Sequence, residues 1–260
     1  MIDWLYALPE IAIVALGAAI LAAIIAWLPR LVGRIPGLAH ADANTEFVIR
    51  MQAPLFTMTA LVLTFTLVEA ERNFRQVDSD LTAEASQLNQ IDRLLTRYDA
   101  PAATVLRPLV RAYAQSIVTD EWPRMLAGKP SQPTNLAYSE LSRAIMALDP
   151  VPGRQSLIFG ELLKSLDAAA ESRDRRLANV RVRLPAIYWV VILFGALMLL
   201  FVSSTIGPTR LRTAVLGAQL AVLGAFIGFT FIMDAPFVGE SAVQPVALSK
   251  AIQSMEARAK

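Results

Sequence analysis

Four apolar runs, at residues 11–28, 51–68, 184–206 and 214–233, decide most of what this chain can fold into. Each holds about 18 residues or more without a formal charge, and a bilayer core of roughly 30 Å needs about 20 such residues at helical rise. The runs form two pairs, separated by a polar, helix-patterned stretch of roughly 115 residues. The expectation is an all-α integral membrane helical bundle: four transmembrane helices, with a helical soluble insert between spans 2 and 3.

The charges agree with that division. The chain carries 24 basic and 22 acidic residues, concentrated outside the runs. A net charge of +2, with arginines interleaved among acids, does not suit a nucleic-acid partner. Cysteine is absent, which excludes disulfides, thiolate catalysis and thiolate metal sites. Met1-Ile2-Asp3-Trp4 lacks the basic start of a signal peptide, and no small-residue cleavage site precedes Trp27-Leu28-Pro29-Arg30. The first span is therefore expected to be retained.

The second span does not stop at the membrane surface. Phe74, Val77, Leu81, Ala85, Leu88, Ile91 and Leu95 continue its apolar spacing by threes and fours, with no Pro or Gly before Pro101. That predicts one helix from about residue 47 to residue 98. A further helix carries Leu106, Val110, Tyr113, Ile117 and Val118 and ends at Trp122-Pro123. Gly128, Lys129, Pro130 and Pro133 mark a loop. A short helix with Leu136, Leu141, Ile145 and Leu148 follows, closed by Asp149-Pro150-Val151-Pro152-Gly153. The last helix of the insert, with Leu157, Leu162, Leu166 and Leu177, is expected to run into the third span through a kink at Pro185. The organisation expected is a first span and loop (1–46), a long second helix (47–100), a helical insert (101–183), spans three and four (184–240), and a C-terminal amphipathic helix (241–260).

Juxtamembrane arginines bear on orientation. Arg72, Arg75, Arg173, Arg175, Arg176, Arg181 and Arg183 flank the insert, against Arg30, Arg34, Arg210 and Arg212 on the other face, where Arg50 adds one more. This places the insert and both termini in the cytoplasm.

Several motifs share an order and spacing along the chain. They are Phe65-Thr66-Leu67, Arg72, Arg75-Gln76-Val77, Glu84-Ala85, Leu106-Arg107, Tyr113 and Glu121-Trp122-Pro123. Later come Arg173, Arg176-Leu177, Leu184-Pro185, Trp189 and Met233-Asp234-Ala235-Pro236-Phe237-Val238-Gly239. Together they resemble the bestrophin-like domain family of bacterial and plant membrane proteins. The resemblance implies kinship with bestrophins: pentameric, four-span, all-helical ion channels whose long second helix lines the pore and runs into a cytosolic bundle. It implies lipid, inorganic ions and further copies of the chain as partners, and a bacterial inner (plasma) membrane as the location. Bestrophins narrow at a phenylalanine-containing neck. Here the corresponding run, Leu55-Phe56-Thr57-Met58-Thr59-Ala60-Leu61-Val62, is apolar but its aromatic position differs, so pore residues follow from helix geometry.

That geometry puts Thr57 and Thr64 on one face of the second span and Thr59 and Thr66 on the opposite one. The stripe Leu55, Met58, Val62 and Glu69 would form an apolar constriction opening on a carboxylate. Glu69, Glu71, Arg72, Arg75, Asp78, Asp80 and Glu84 read as a solvated or interhelically paired face, or as a charged vestibule. In a vestibule, rings of Glu69 would favour cations and rings of Arg72 or Arg75 anions. Gly217, Ala221, Gly224 and Gly228 draw a small-residue stripe suited to close helix packing. Asp234, beyond the fourth span, is placed to bond loop amides. The single histidine, His40, sits in a short loop, and the chain shows no zinc spacing, phosphate-binding loop or nucleophile elbow. No catalytic, cofactor or metal residue is expected. A homo-oligomeric channel is the leading expectation, and a membrane-anchored, non-conducting scaffold or sensor the alternative. A transporter is disfavoured by the lack of an internal repeat or paired half-helices.

Overall fold

Nearly every apolar position with helical spacing lies in a helix. The computed structural model describes residues 8–35, 42–98, 100–180, 182–207 and 209–259, and among these there is no strand. The helices are α1 (Glu10–Val32), α2 (Asp42–Tyr98), α3 (Ala100–Ser116), α4 (Trp122–Leu126), α5 (Gln132–Met146), α6 (Arg154–Asn179), α7 (Ala186–Ser204), α8 (Arg210–Met233) and α9 (Val246–Ala257). A π-turn, Ile117–Glu121, joins α3 to α4. Four of these helices, α1, α2, α7 and α8, are long and apolar enough to cross a bilayer. His40 lies outside the described residues.

The chain divides into two compact units. The span unit comprises residues 1–74 with 183–242, and the insert unit residues 75–182 with 243–260. Helix α2 contributes its first part to one and its last part to the other.

In the span unit the closest approach is between α1 and α8, and missing side chains create it. A Cβ on Gly224 would overlap the carbonyl of Gly17, and one on Gly17 would overlap the carbonyl of Gly224. A Cβ on Gly228 would lie 3.0 Å from the carbonyl oxygen of Ile13. The two helices run antiparallel, backbone on backbone, which is the arrangement small residues permit. Gly217 is looser: its nearest neighbour would be a methyl of Ile25 at 3.9 Å. Ala221 is half-buried on the same helix.

The apolar centre of this unit is Ile25, Leu63, Ile192, Ala196, Leu199, Leu200, Leu220 and Leu223. Gly195 of α7 faces Thr59 of α2, where an added Cβ would meet the threonine methyl at 2.8 Å. Gln52 ties three helices together, its amide donating to Ser203 Oγ at 3.1 Å and to Gln219 Oε1 at 3.2 Å.

The insert unit is built on the second half of α2. Val77, Leu81, Ala85, Leu88, Ile91 and Leu95 are buried there, with Leu106, Val110 and Tyr113 from α3 and Ile117 from the π-turn. Leu141, Ile145, Leu162, Leu166 and Ala169 complete the core, and α9 adds Leu248, Ala251, Ile252 and Met255. Two apolar positions expected to be internal are not: Leu136 is 62% and Leu157 75% exposed, each in the first turns of its helix.

The expected continuity from α6 into the third span is also corrected. Helix α6 ends at Asn179, and α7 starts afresh at Ala186 behind Pro185, whose φ of −52° and ψ of 138° are non-helical. Proline has no N–H to continue a helix and disfavours helical geometry in the residue before it, so α7 begins behind Pro185 as a new helix rather than as a kinked continuation of α6.

Candidate functional site

Helix α2 presents one face of the span unit outward. Met58 (67% exposed), Leu61, Phe65 and Val68 lie on it with Thr57 and Thr64, and Arg72 follows at its end. The opposite face, Gln52, Thr59, Leu63, Thr66 and Ala70, is buried. All four threonines donate to the carbonyl four residues back, at 2.8–3.0 Å, so none brings an unpaired hydroxyl to either face.

The stripe expected to line a pore is divided by this orientation. Met58 is outward, whereas Leu55 is half-buried against the apolar centre. Val62 sits over a hollow it shares with Ile187, Tyr188 and Val191 of α7. Glu69 is half-buried, and Arg75 is exposed in the insert unit. The outward face is thus centred on Leu61 and Val68, about a quarter turn from the expected stripe at 100° per residue.

Sequence reasoning missed the most heavily constructed site, a buried ion-pair network inside the insert unit. Arg176 is 1% exposed. Its Nε donates to Glu84 Oε2 at 2.7 Å, and its Nη2 donates to Glu84 Oε1 at 3.0 Å and to Glu121 Oε2 at 2.6 Å. The remaining nitrogen, Nη1, reaches only the sulfur of Met125, at 3.3 Å. Arg173 donates from Nε to both oxygens of Glu121, at 3.0 and 3.1 Å, and from Nη2 to Asn135 Oδ1 at 2.5 Å. Two guanidinium groups therefore meet two carboxylates, and the interior carries no net charge there.

The π-turn helps to position this network. A widened turn delays the phase of the helix, so Glu121, Trp122 and Met125 return to the face already occupied by Tyr113 and Ile117. Burial by itself would raise the Glu121 carboxyl, but the hydrogen bonds from Arg173 and the charge of Arg176 outweigh it and hold the group below the usual glutamate range. Burial, reinforced by the charge of Glu84, pushes the Tyr113 phenol far up. It stays protonated, and its hydroxyl finds no hydrogen-bond partner among the described residues.

Two further carboxylates anchor the same unit. Asp92 accepts from Arg107 Nε at 2.8 Å and from Arg258 Nε at 2.9 Å, which fastens α9 to α2 and α3. Asp80 accepts from Asn179 at 2.9 Å and from Gln76 at 3.0 Å. Asp80 and Glu84 are thus interior groups paired across helices, while Arg72, Arg75 and Asp78 of the same charge run are exposed.

Asp234 performs a comparable task in the span unit. Immediately past α8 it accepts the Leu184 N–H at 2.5 Å, and its carbonyl accepts from Arg183 at 3.0 Å. Burial raises its carboxyl above the usual aspartate value, against the opposing pull of the Leu184 bond and of Arg183. Nearby, Glu10 at the start of α1 accepts the N–H and hydroxyl of Ser241, both at 2.6 Å. One end of α1, α7 and α8 is stitched together by these bonds. Among the described residues no group of three or more acidic or histidine side chains converges to hold a metal.

The residues shared by the motifs now have a physical account: Glu84, Tyr113, Glu121, Arg173 and Arg176 form one interior cluster, and Leu184, Trp189 and Asp234 one joint. The model of the bestrophin-like domain family matches residues 16–248. Three solved chains are similar in structure. One is the crystal structure of a membrane protein, with a TM-score of 0.64 at 14% identity, covering 95% of this chain and 96% of that one. A likeness at that identity concerns the fold alone. A comparison with curated proteins finds no match. With the family model spanning both pairs of membrane helices and the insert between them, this chain belongs to the bestrophin-like domain family.

Proposed function

We propose that the chain is the subunit of a homo-oligomeric ion channel, a pentamer, with the outward face of α2 turned toward the axis. The observation that carries this reading is the character of that face. Of the four spans, α2 is the least apolar, and its outward face combines Met58, Leu61, Phe65 and Val68 with Pro54, Thr57 and Thr64 before ending at Arg72. By contrast α7 turns Ile187, Val190, Leu193, Phe194 and Leu197 outward, as a lipid-facing helix would. Four spans in one chain enclose no water-filled path, so conduction requires neighbours. An apolar passage gates by dewetting, and a ring of Arg72 at its end favours anions. In this reading the chain sits in the bacterial inner membrane with the insert and both termini on the cytoplasmic side. Arg173 and Arg176 are neutralised inside the insert, and membership of the bestrophin-like family supports the cytoplasmic side.

The test is light scattering of the purified protein with the detergent contribution removed, followed by recording in planar bilayers. A symmetric oligomer with currents that rise in Leu61→Ala, and a reversal potential that moves toward cations in Arg72→Gln, is expected. A monomer of 28.3 kDa overturns the reading.

A second reading, a membrane-anchored scaffold, is favoured by the exposed Leu136, Val151 and Leu157 of the insert. Silent bilayers together with a co-purified partner lost on Leu157→Ser would select it.

A further inference from the structure

The seam between α2 and α8 carries two hollows in line. The first, about 260 Å³, has apolar walls from Ile49, Leu211 and Val215, with Gln52 and Gln219 on its floor and Arg212 at its mouth. The second, about 220 Å³, lies further along both helices, between Phe56 and Ala60 of α2 and Val222 and Phe226 of α8. Fourteen residues of α8 separate Arg212 from Phe226, a rise of about 21 Å. One leaflet of hydrocarbon is roughly 15 Å deep, so the seam reaches from a membrane surface into the core.

The polar groups along the seam are graded. Gln52 spends its amide N–H groups on Ser203 and Gln219. That leaves the Gln52 carbonyl and the Gln219 amide without partners among the described residues. Above them, Arg210 and Arg212 are exposed and neither guanidinium has a carboxylate partner among the described residues. This end of the spans carries Arg30, Arg34, Arg50, Arg210 and Arg212 against Asp42 and Glu46. Glu46 is taken by Arg50 at 2.6 Å. A second copy would therefore bring mostly positive charge to a positive mouth.

We propose that the α2–α8 seam is a binding site for an anionic phospholipid. Its phosphate sits on Arg212 within the field of Arg210, its ester region meets Gln52 and Gln219, and one acyl chain follows the seam down to Phe226. Basic pockets between membrane helices hold anionic headgroups by this combination of charge and apolar slot. The proposal stands whether or not the chain conducts.

Native mass spectrometry of the full chain released from detergent, with phosphatidylglycerol or phosphatidylcholine of the same acyl composition added, tests it. Phosphatidylglycerol should be retained in preference. Arg212→Gln should weaken that retention about fivefold, and the double variant Arg210→Gln/Arg212→Gln roughly 25-fold. Val215→Trp, which fills the slot and keeps both charges, should also lose the lipid, while Arg34→Gln on the same membrane face should keep it. Equal retention of the two lipids, or retention unchanged in Arg212→Gln and Val215→Trp, overturns the proposal. The chain has no native cysteine, so Val215→Cys reports the competing occupant. Efficient cross-linking between copies with no retained lipid would show that a second copy fills the seam, and would also overturn it. Size-exclusion profiles matching the wild type exclude misfolding as the cause of any loss.

Discussion

Arg176→Met tests the interior of the insert most directly. Methionine keeps much of the side-chain volume but removes the cation that faces two carboxylates. Glu84 is fully buried and Glu121 nearly so, so neither can turn to water when its partner is lost. Removing one member of a buried pair costs about 3–5 kcal/mol, because an uncompensated charge is left inside. In a protein of this size that corresponds to a fall in Tm of roughly 10 °C. Trp122, buried beside the network, gives the fluorescence signal for thermal unfolding in detergent. Adding Glu84→Gln should recover part of the loss, since it removes the stranded charge. The sign of the pH effect is fixed by Glu121. Its carboxyl is depressed in the folded state, so its contribution is present above the unfolded glutamate value and lost as pH falls through the depressed one. Without Arg176 the depression shrinks, and the acid limb of the stability profile moves to higher pH. A cost below about 1 kcal/mol, as for an exposed pair, with an unmoved acid limb, would refute the picture of a dry, paired interior.

Three further outcomes follow from the same geometry. Gly224→Ala should lower the Tm by overpacking worth about 1–3 kcal/mol, since its Cβ overlaps the Gly17 carbonyl. Gly217→Ala, with its nearest neighbour at 3.9 Å, should stay within about 0.5 kcal/mol of the wild type, and equal effects would mean that α1 and α8 are not in backbone contact. Asp234→Ala strands the Leu184 N–H and should cost about 1–3 kcal/mol, whereas Asp234→Asn should be milder. Because the Asp234 carboxyl is raised by burial, its contribution is greatest in acid and lost as pH rises through the raised value. The wild type should therefore gain on Asp234→Asn as pH falls, and a parallel pair of profiles would contradict this. Ending the chain at residue 245 removes Arg258 from Asp92 along with the apolar face of α9. The insert should become protease-sensitive, and an unchanged digestion pattern would show that α9 is dispensable.

How much was legible in the sequence depends on what each residue answers to. The uninterrupted spacing from Phe74 to Leu95 announced the long α2, because a water-exposed helix must confine its apolar residues to one stripe. The same logic misassigned Leu136 and Leu157, which sit at the right spacing but in first turns that extend past the core. Inside the span unit the logic fails altogether. Lipid tolerates apolar groups on every face, so Leu55, Met58, Val62 and Leu61 look equivalent until neighbouring helices choose among them. The charge run from Glu69 to Glu84 alternates as a solvated or interhelically paired face would, and Asp80 and Glu84 are the members that pair across helices. Yet Glu84 falls in register with Val77, Leu81, Leu88 and Ile91, which marks its face as interior. Only its partners were illegible, since Arg176 is 92 residues away and Glu121 reaches the pair through a π-turn that no sequence pattern announces.

The four spans, their pairing around a helical insert, the small-residue stripe on α8 and the family were all legible in the linear chain. These depend on length, apolar content and residue size, which are properties of a segment read alone. The packed fold alone chose which face of α2 looks outward and where α6 stops short of α7. It also decided which of several charged residues neutralise one another in the interior. Those choices depend on what lies opposite a side chain: Glu84 and Glu121 are stable in the interior because folding delivers Arg176 and Arg173 to them from a distant part of the chain.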